Sequence, residues 1–572
     1  MHTTRLKFKY ALRSCKRNES QHRADALAKD LSYKEFNGFW RKVSYMNNCK
    51  IGLPETIGEA CGEEQIAKAW QQHYSSLLNE SKDTLLDITH DSKCVSGYDS
   101  LVITAQEVER EIRSLKSGKA GGMDGVTAEH MKYAGKRLTV TLAICLTMMM
   151  SHGYVPENFM KTIIVPLVKN KAGDTQDKNN YRPIALAACV SKVMEKIILH
   201  KCKDELQTCN NQFGFKGNHS TDMCIFTLKQ FLHKYSERGS PMFVCFLDAS
   251  KAYDRVKHVQ LFRILLQRGI PGYIIRLLGY WYQSQKMCVQ WGRVFSKFFP
   301  VSNGVRQGGV LSPALFNVYI DEISKKLNEI TNVGCTSGDI VVNNLLYADD
   351  MCLMAPSAKG LQMLIDVCVK QANLLDLKYN TKKTFCMCIQ PKSWKLQNLP
   401  SLYLNSQRIV YVESYKYLGC YISNSLRDDG DVQRQIRAMY SRANCLVRKF
   451  GICSRDVKVQ LFKAYLGNSY CSQLWSNVSA VQMQKVKVAY NNCLRIFFGL
   501  PRMCSISRMF VEFGIPSFGE FTRRDIFSFW TRIESSHNVI IHSIAGNRFK
   551  MMELFTYERW QRALFQPSAI CP

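Results

Sequence analysis

Three aspartates are spaced as phosphoryl-transfer chemistry requires. Asp248 ends the apolar run Phe243-Val244-Cys245-Phe246-Leu247, and Asp349 and Asp350 follow Tyr347-Ala348 about a hundred residues later. An Asp pair between strands is ordinarily a solvated turn. Here Leu345-Leu346 precedes it and Met351-Cys352-Leu353-Met354 follows. Two charges at the tip of an otherwise buried hairpin carry a large desolvation cost, and this calls for a metal or a cationic partner. Oxygen-only ligands select hard ions, so Mg²⁺, which keeps its waters and takes one or two carboxylates with substrate phosphates, suits Asp248, Asp349 and Asp350; Mn²⁺ is an admissible substitute. Two such ions, roughly 3.5–4 Å apart, can hold the attacking and leaving oxygens of an in-line displacement. Asp254 stands six residues after Asp248 and beside Arg255. It is expected to be half of a structural ion pair and is left outside the metal set.

Around the carboxylates lie residues suited to a nucleotide. Lys169 follows a strand-like run from Ile163 to Val168, and Arg182 sits between Tyr181 and Pro183 on what reads as an exposed connection. A guanidinium there can grip a triphosphate bidentately and an ammonium can add a point charge, although solvated cations are the commoner fate. Gln307-Gly308-Gly309 precedes a helix-like run from Leu311 to Leu327. Paired glycines let backbone approach a ligand closely, but most such pairs are turns. Arg306 can serve a phosphate or a structural carboxylate. Tyr253 lies where the chain turns back after Asp248, as a site residue or a core aromatic. Lys383, next to Lys382, follows a helical pattern through Leu361, Leu364 and Leu375. A lysine beside a leaving pyrophosphate acts as general acid or charge stabiliser.

An ordered series of blocks resembles the reverse transcriptases of LINE-type (non-LTR) retrotransposons. It runs from Leu115-Lys116-Ser117-Gly118-Lys119-Ala120 and Met123-Asp124-Gly125-Val126, through Val165-Pro166-Leu167-Val168-Lys169, Asn180-Tyr181-Arg182-Pro183-Ile184 and Asn211-Gln212-Phe213-Gly214-Phe215-Lys216-Gly217. Phe246 to Val256, Gly304 to Pro313, Tyr347 to Asp350, Asn380 to Thr384 and Tyr415 to Gly419 complete it. The resemblance implies an RNA-directed DNA polymerase that adds deoxynucleotides to a primer 3′-hydroxyl with two Mg²⁺ ions. Asp248 and Asp349 are then the principal ligands, with Asp350 beside them and the Ala249 carbonyl as a further oxygen. It also implies triphosphate contacts at Lys169 and Arg182, a sugar gate at Tyr253, nucleotide and template support at Gln307 and Gly308, and Lys383 rather than Lys382 at the pyrophosphate. The implied partners are an RNA template, a DNA primer or target and deoxynucleotides. The family's upstream endonuclease has no counterpart here, and Gly121 and Met123 stand where the family more often has prolines. The competing expectation is an element relic or co-opted copy that binds nucleic acid without polymerising. A third is an RNA-dependent RNA polymerase.

Composition agrees with a nucleic-acid partner. The 572 residues hold 77 Lys and Arg against 47 Asp and Glu, a net charge of +30. Residues 1–50 and 431–572 carry two-thirds of that excess, so cationic ends flank an acidic centre. Twenty-three cysteines without one Cys-x-x-Cys pair, and the lack of a signal peptide, point to a cytoplasmic or nuclear, non-secreted chain. The longest apolar run, Leu138 to Met150, is too short for a bilayer that needs about 20 residues.

The expected fold is α+β, a right-hand polymerase. A basic, partly helical connector spans 1–104, with helices near Ala24–Trp40 and Glu64–Leu78. Fingers follow over 105–240, with a helix start at Thr104. A palm with a split βαβ sheet spans 241–425, and a helical thumb with a C-terminal extension spans 426–572.

Overall fold

The computed structural model describes residues 2–47, 53–80, 101–391, 396–467 and 469–545. The chain is a mixed α+β protein built around two five-stranded sheets. The strand Met242–Leu247 is buried at all six positions because both faces of its sheet are covered. Phe243, Cys245 and Leu247 enter one core with Leu315 and Phe316 of helix Ser312–Asn328 and Leu361, Leu364 and Ile365 of helix Ala358–Leu374. Met242, Val244 and Phe246 enter the opposite core with Phe226, Leu228 and Phe231 of helix Thr221–Glu237. Period-two alternation between two apolar faces reads in sequence as an unbroken hydrophobic run.

Across this sheet the order is Asn344–Tyr347, Asp350–Ala355, Met242–Leu247, Phe385–Ile389 and Val410–Tyr411. Each of the first four strands runs antiparallel to its neighbour among them. The helices Ser312–Asn328 and Ala358–Leu374 lie between successive strands in the chain, on the same side of the sheet. The second sheet pairs Lys161–Val168 with Tyr181–Leu186 and with Lys286–Trp291. The latter pairing ends at Ile164. Pro166 and Pro183, which face each other, therefore sit on the two-stranded projecting part, where a missing N–H costs little.

The chain ends are less separate from the centre than the sequence suggests. Helix Phe518–Glu534 and helix Val539–Ala545 send Ile526, Phe529, Trp530, Ile540 and Ile541 into the core beneath the Met242–Leu247 sheet. Ala24, Leu27, Phe39 and Val43 pack with Leu446, Phe450, Val457 and Leu494 of the C-terminal helices Asp429–Phe450, Arg455–Tyr465 and Ala480–Phe498. The stretch expected as one helix over Ala24–Trp40 is two helices, His2–Ser32 and Phe36–Asn47, broken where Lys34 takes a positive φ of 58°. Thr104 caps helix Ala105–Arg113 through a capping box with Glu107, the start that its sequence signals. Every described cysteine is free, most of them buried. Among the described residues no helix is long and apolar enough to cross a membrane.

Ion pairs, one of them buried, fasten the C-terminal helices to the sheet's underside. Asp428 accepts from Lys229 Nζ at 2.5 Å and from the Ser476 and Asn477 amides at 2.8 and 2.9 Å, and Asp222 accepts from Arg532 at 2.6 Å. Lys229 and Asp428 are only 6% and 2% exposed, so removing one partner strands a desolvated charge. Asp428→Ala is expected to destabilise the chain by roughly 3–5 kcal/mol, seen as a lowered midpoint in denaturant unfolding. The exposed pair Arg508–Glu512 should contribute almost nothing in the same assay.

Candidate active site

Sheet register brings the acidic residues together. Met351 pairs with Leu247 across antiparallel strands, so the next step along each strand sets Asp350 beside Asp248 at the same sheet end. Tyr347 pairs with Asp350, leaving Ala348 and Asp349 as a two-residue turn. Ala348 has a φ of 57°, a position where two-residue hairpin turns favour glycine. Burial first, then the charges of Asp349 and Asp248, push the Asp350 carboxyl up to about 6. Asp349 is likewise raised, by burial first and by Asp248, with Arg182 opposing. Asp248 thus acts on both members of the pair, and Asp349 acts on Asp350.

Among the described residues no three His, Cys, Asp or Glu side chains stand as a ready metal cluster. The fit to divalent ions rests on donor chemistry: Asp349 and Asp350 are both disfavoured as anions by burial and by the charge of Asp248, a situation that a hard cation relieves.

A cleft of about 1050 Å³ opens over the turn. Asp248, Ala249, Tyr253, Asp349 and Lys383 line its floor, and Lys169, Arg182, Gln307 and Gly308 also reach it. Asp350 is not among its lining residues, although it stands next to Asp349 in the turn.

Arg182 is not on a free connection, as its sequence context suggests, but is the second residue of strand Tyr181–Leu186, opposite Leu167. The Lys169 amide bonds to the Asn180 carbonyl at 2.7 Å, so the hairpin presents both cations at one end. Burial lowers the Lys169 ammonium, with Asp254 opposing and Arg182, Lys251 and Lys383 adding to the depression. Such crowded cations want a polyanion. Lys383 Nζ lies 3.8 Å from Asp248 Oδ2. Its loop is fixed by the Asn380 amide donating to the Asp248 carbonyl at 2.9 Å and by the Lys383 amide donating to Asn380.

Tyr253 is stacked on Phe316, with centroids 4.3 Å apart and a 19° interplanar angle. The Phe215 ring meets its edge at 6.3 Å. Gly308, at φ +121°, lies against strand Tyr181–Leu186, where a Cβ would meet the Ala185 carbonyl oxygen at 2.8 Å. The Gln307 side chain donates to Asp254 Oδ1 at 3.0 Å and its carbonyl accepts from the Ala185 amide at 2.7 Å.

Two charge pairings differ from the sequence reading. Asp254 does not pair with Arg255. It is buried, bonded to Gln307 and raised to about 6 by that burial, while Arg255 reaches Glu80 at 3.5 Å. Arg306, left open between phosphate and carboxylate, pairs with buried Glu195 and stacks on Trp281 at 4.6 Å. Helix Glu63–Leu77 was not expected at the site, yet His73, Tyr74 and Leu77 line the cleft. The same helix seats Ile66 and Trp70 against Ile164, Tyr181 and Trp291. Its apolar spacing marks a packing face, but nothing local names the partner.

A carboxylate-ended sheet and a cationic hairpin thus meet at one cleft. Residues 168–422 match the family model described as reverse transcriptase (RNA-dependent DNA polymerase). The chain is 24% identical over 488 residues to the RNA-directed DNA polymerase from mobile element jockey of Drosophila melanogaster, covering 82% of this chain and 52% of that one. It is 25% identical over 328 residues to the Pol polyprotein from the type-2 retrotransposable element R2DM of the same species, covering 55% and 30%. A probable RNA-directed DNA polymerase from transposon X-element is 22% identical over 409 residues, covering 69% and 44%. The chain thus spans about half the length of the jockey relative, and it resembles the reverse transcriptases of LINE-type retrotransposons.

Protons and divalent ions should compete at the turn. Mn²⁺ affinity, followed by electron paramagnetic resonance, is expected to fall as pH drops through about 6, where Asp350 takes up its proton. Because its native pKa is raised, ionised Asp350 costs the folded state above that pH. Asp350→Asn should therefore flatten the pH profile of Mn²⁺ binding and slightly raise the unfolding midpoint of the metal-free chain at neutral pH.

Proposed function

We propose that this chain is an RNA-directed DNA polymerase that adds deoxynucleotides to a primer 3′-hydroxyl. The observation that carries the reading is the register that sets Asp248 beside Asp350 and the Ala348–Asp349 turn, with Asp248 and Asp349 sharing one cleft with Lys169 and Arg182. The choice of an RNA template rests on the family match alone. In this reading residues 1–104 form a connector, 105–240 the fingers, 241–425 a palm of the split βαβ kind, and 426–572 the thumb and C-terminal extension of a right-hand polymerase.

Asp248 and Asp349 would hold two Mg²⁺ ions, with Asp350 beside them and the Ala249 carbonyl as a further oxygen. Such ions, when bound, supply the charge that activates the primer hydroxyl and steadies the leaving phosphate oxygens. Arg182 and Lys169 grip the triphosphate, and the register of their hairpin fixes the separation of the two cations. Lys383, already turned toward Asp248, stabilises or protonates the leaving pyrophosphate. Tyr253, braced by Phe316, closes the space that a ribose 2′-hydroxyl would need. Gln307 and Gly308 support the base and the template from the wall behind, Gln307 being oriented by Asp254.

Extension of a DNA primer on an RNA template with Mg²⁺ tests the reading. Wild-type chain should extend, while Asp248→Asn and Asp349→Asn should each lose activity on the order of 10³-fold with template binding retained. No extension by a wild-type chain that still binds RNA would favour the co-opted, non-polymerising copy. Tyr253→Ala is expected to raise ribonucleotide incorporation about 10- to 100-fold. Unchanged sugar selectivity would favour an RNA-copying RNA polymerase.

A further inference from the structure

The strained turn that carries Asp349 is held from outside its own hairpin. The strand Asn344–Tyr347 lies at the edge of its sheet, and the segment Asn211–Gly214 runs beside that edge. The Leu346 amide donates to the Asn211 carbonyl at 2.9 Å, and the Phe213 amide donates to the Leu346 carbonyl at 2.8 Å. Gln212, bridged in parallel to Leu346, is 1% exposed. Its Oε1 accepts from the Ala348 amide at 2.9 Å and from the Gly214 amide at 2.8 Å, and its Nε2 reaches the Ala348 carbonyl at 3.4 Å. One side-chain amide thus engages both backbone polar groups of the residue at φ 57°. Gly214 completes the cradle, since a Cβ there would collide with the Ala348 nitrogen. Asn317, on helix Ser312–Asn328, fixes the Gly214 carbonyl at 2.7 Å.

A non-glycine residue at positive φ keeps that conformation only where its surroundings over-determine it. The hairpin's own strands end at Tyr347 and Asp350, so they hold the turn only from behind. We propose that Gln212 is a positioning residue that sets the Ala348–Asp349 turn and through it the aim of the Asp349 carboxylate. The inference rests on the polymerase reading for the reaction that suffers, but not for the geometry.

Gln212→Met in the full chain keeps the side-chain volume and removes the oxygen on which two buried amides depend. Single-nucleotide addition is expected to slow on the order of 10- to 100-fold, with the deoxynucleotide KM held within about threefold. Hydrogen exchange of the peptide covering residues 344–352, measured without substrate, should quicken about tenfold or more while the strand Met242–Leu247 keeps its protection. Mn²⁺ affinity should weaken in parallel. Gln212→Glu, which restores an acceptor oxygen at the same reach, should recover the turn's protection. Wild-type exchange and wild-type Mn²⁺ affinity in Q212M would overturn the proposal. So would quickened exchange throughout the palm that Q212E does not reverse, since that marks general destabilisation. Should Q212M fail to fold, a folded Q212E that loses turn protection overturns the proposal, and one that keeps it supports it. A wild-type chain without polymerase activity would sink the polymerase reading, while the exchange and Mn²⁺ arms would still decide the role of Gln212.

Discussion

Everything at this site depends on the antiparallel register between Met242–Leu247 and Asp350–Ala355. Leu247 opposite Met351 makes Asp248 and Asp350 neighbours at one sheet end. Side chains alternate faces with period two, so a one-residue slip would send Phe246 and Cys352 to the opposite core and scatter the carboxylates. Two cores lock the register. Phe243, Cys245 and Leu247 are committed to one face, and Met242, Val244 and Phe246 to the other. The apolar residues of the strand therefore place its terminal charge.

That placement runs against the electrostatics of the protein's own charges. Asp349 and Asp350 are both disfavoured as anions, while Lys169 across the cleft is disfavoured as a cation by burial and by Arg182, Lys251 and Lys383. Direct neutralisation is incomplete because the two sets sit on different sheets, and among the described residues Lys383, at 3.8 Å, is the one cation paired with Asp248. In the proposed polymerase reading the charge on each wall has its match: divalent cations for the acidic wall and a polyphosphate for the basic one. Folding energy stored in the cores holds these disfavoured charges in place.

Much of this was legible in the sequence wherever the signal is local. The run Phe243–Leu247 is apolar at every position because both faces are buried, and the helices after Leu311 and before Leu375 show clear three- and four-residue spacing. What was not legible concerns partners chosen across the fold. Asp254 and Arg255 are adjacent in sequence, yet their side chains point to Gln307 and Glu80. The Lys-, Asn- and Asp-rich stretch before Arg182 suggested an exposed connection, but the residue lies in a strand, which tolerates Pro183 because the third strand has already ended. Helix Glu63–Leu77 shows its packing face in sequence without showing that the face meets Tyr181 and Trp291 beside the cleft.

The same distinction separates the carboxylates from the parts that aim them. A metal-binding aspartate can be suspected from a charge between apolar flanks, since burial without a partner is costly. A glutamine such as Gln212 gives no such signal, because a neutral amide is unremarkable in any segment and its two amide partners are identical to every other backbone N–H. Only the fold reveals that both amides belong to positions where no side chain or no ordinary φ is possible, Gly214 and Ala348. The precision of the acidic centre is thus supplied by residues with no chemistry of their own, and these lie in a segment some 135 positions upstream of the turn they hold.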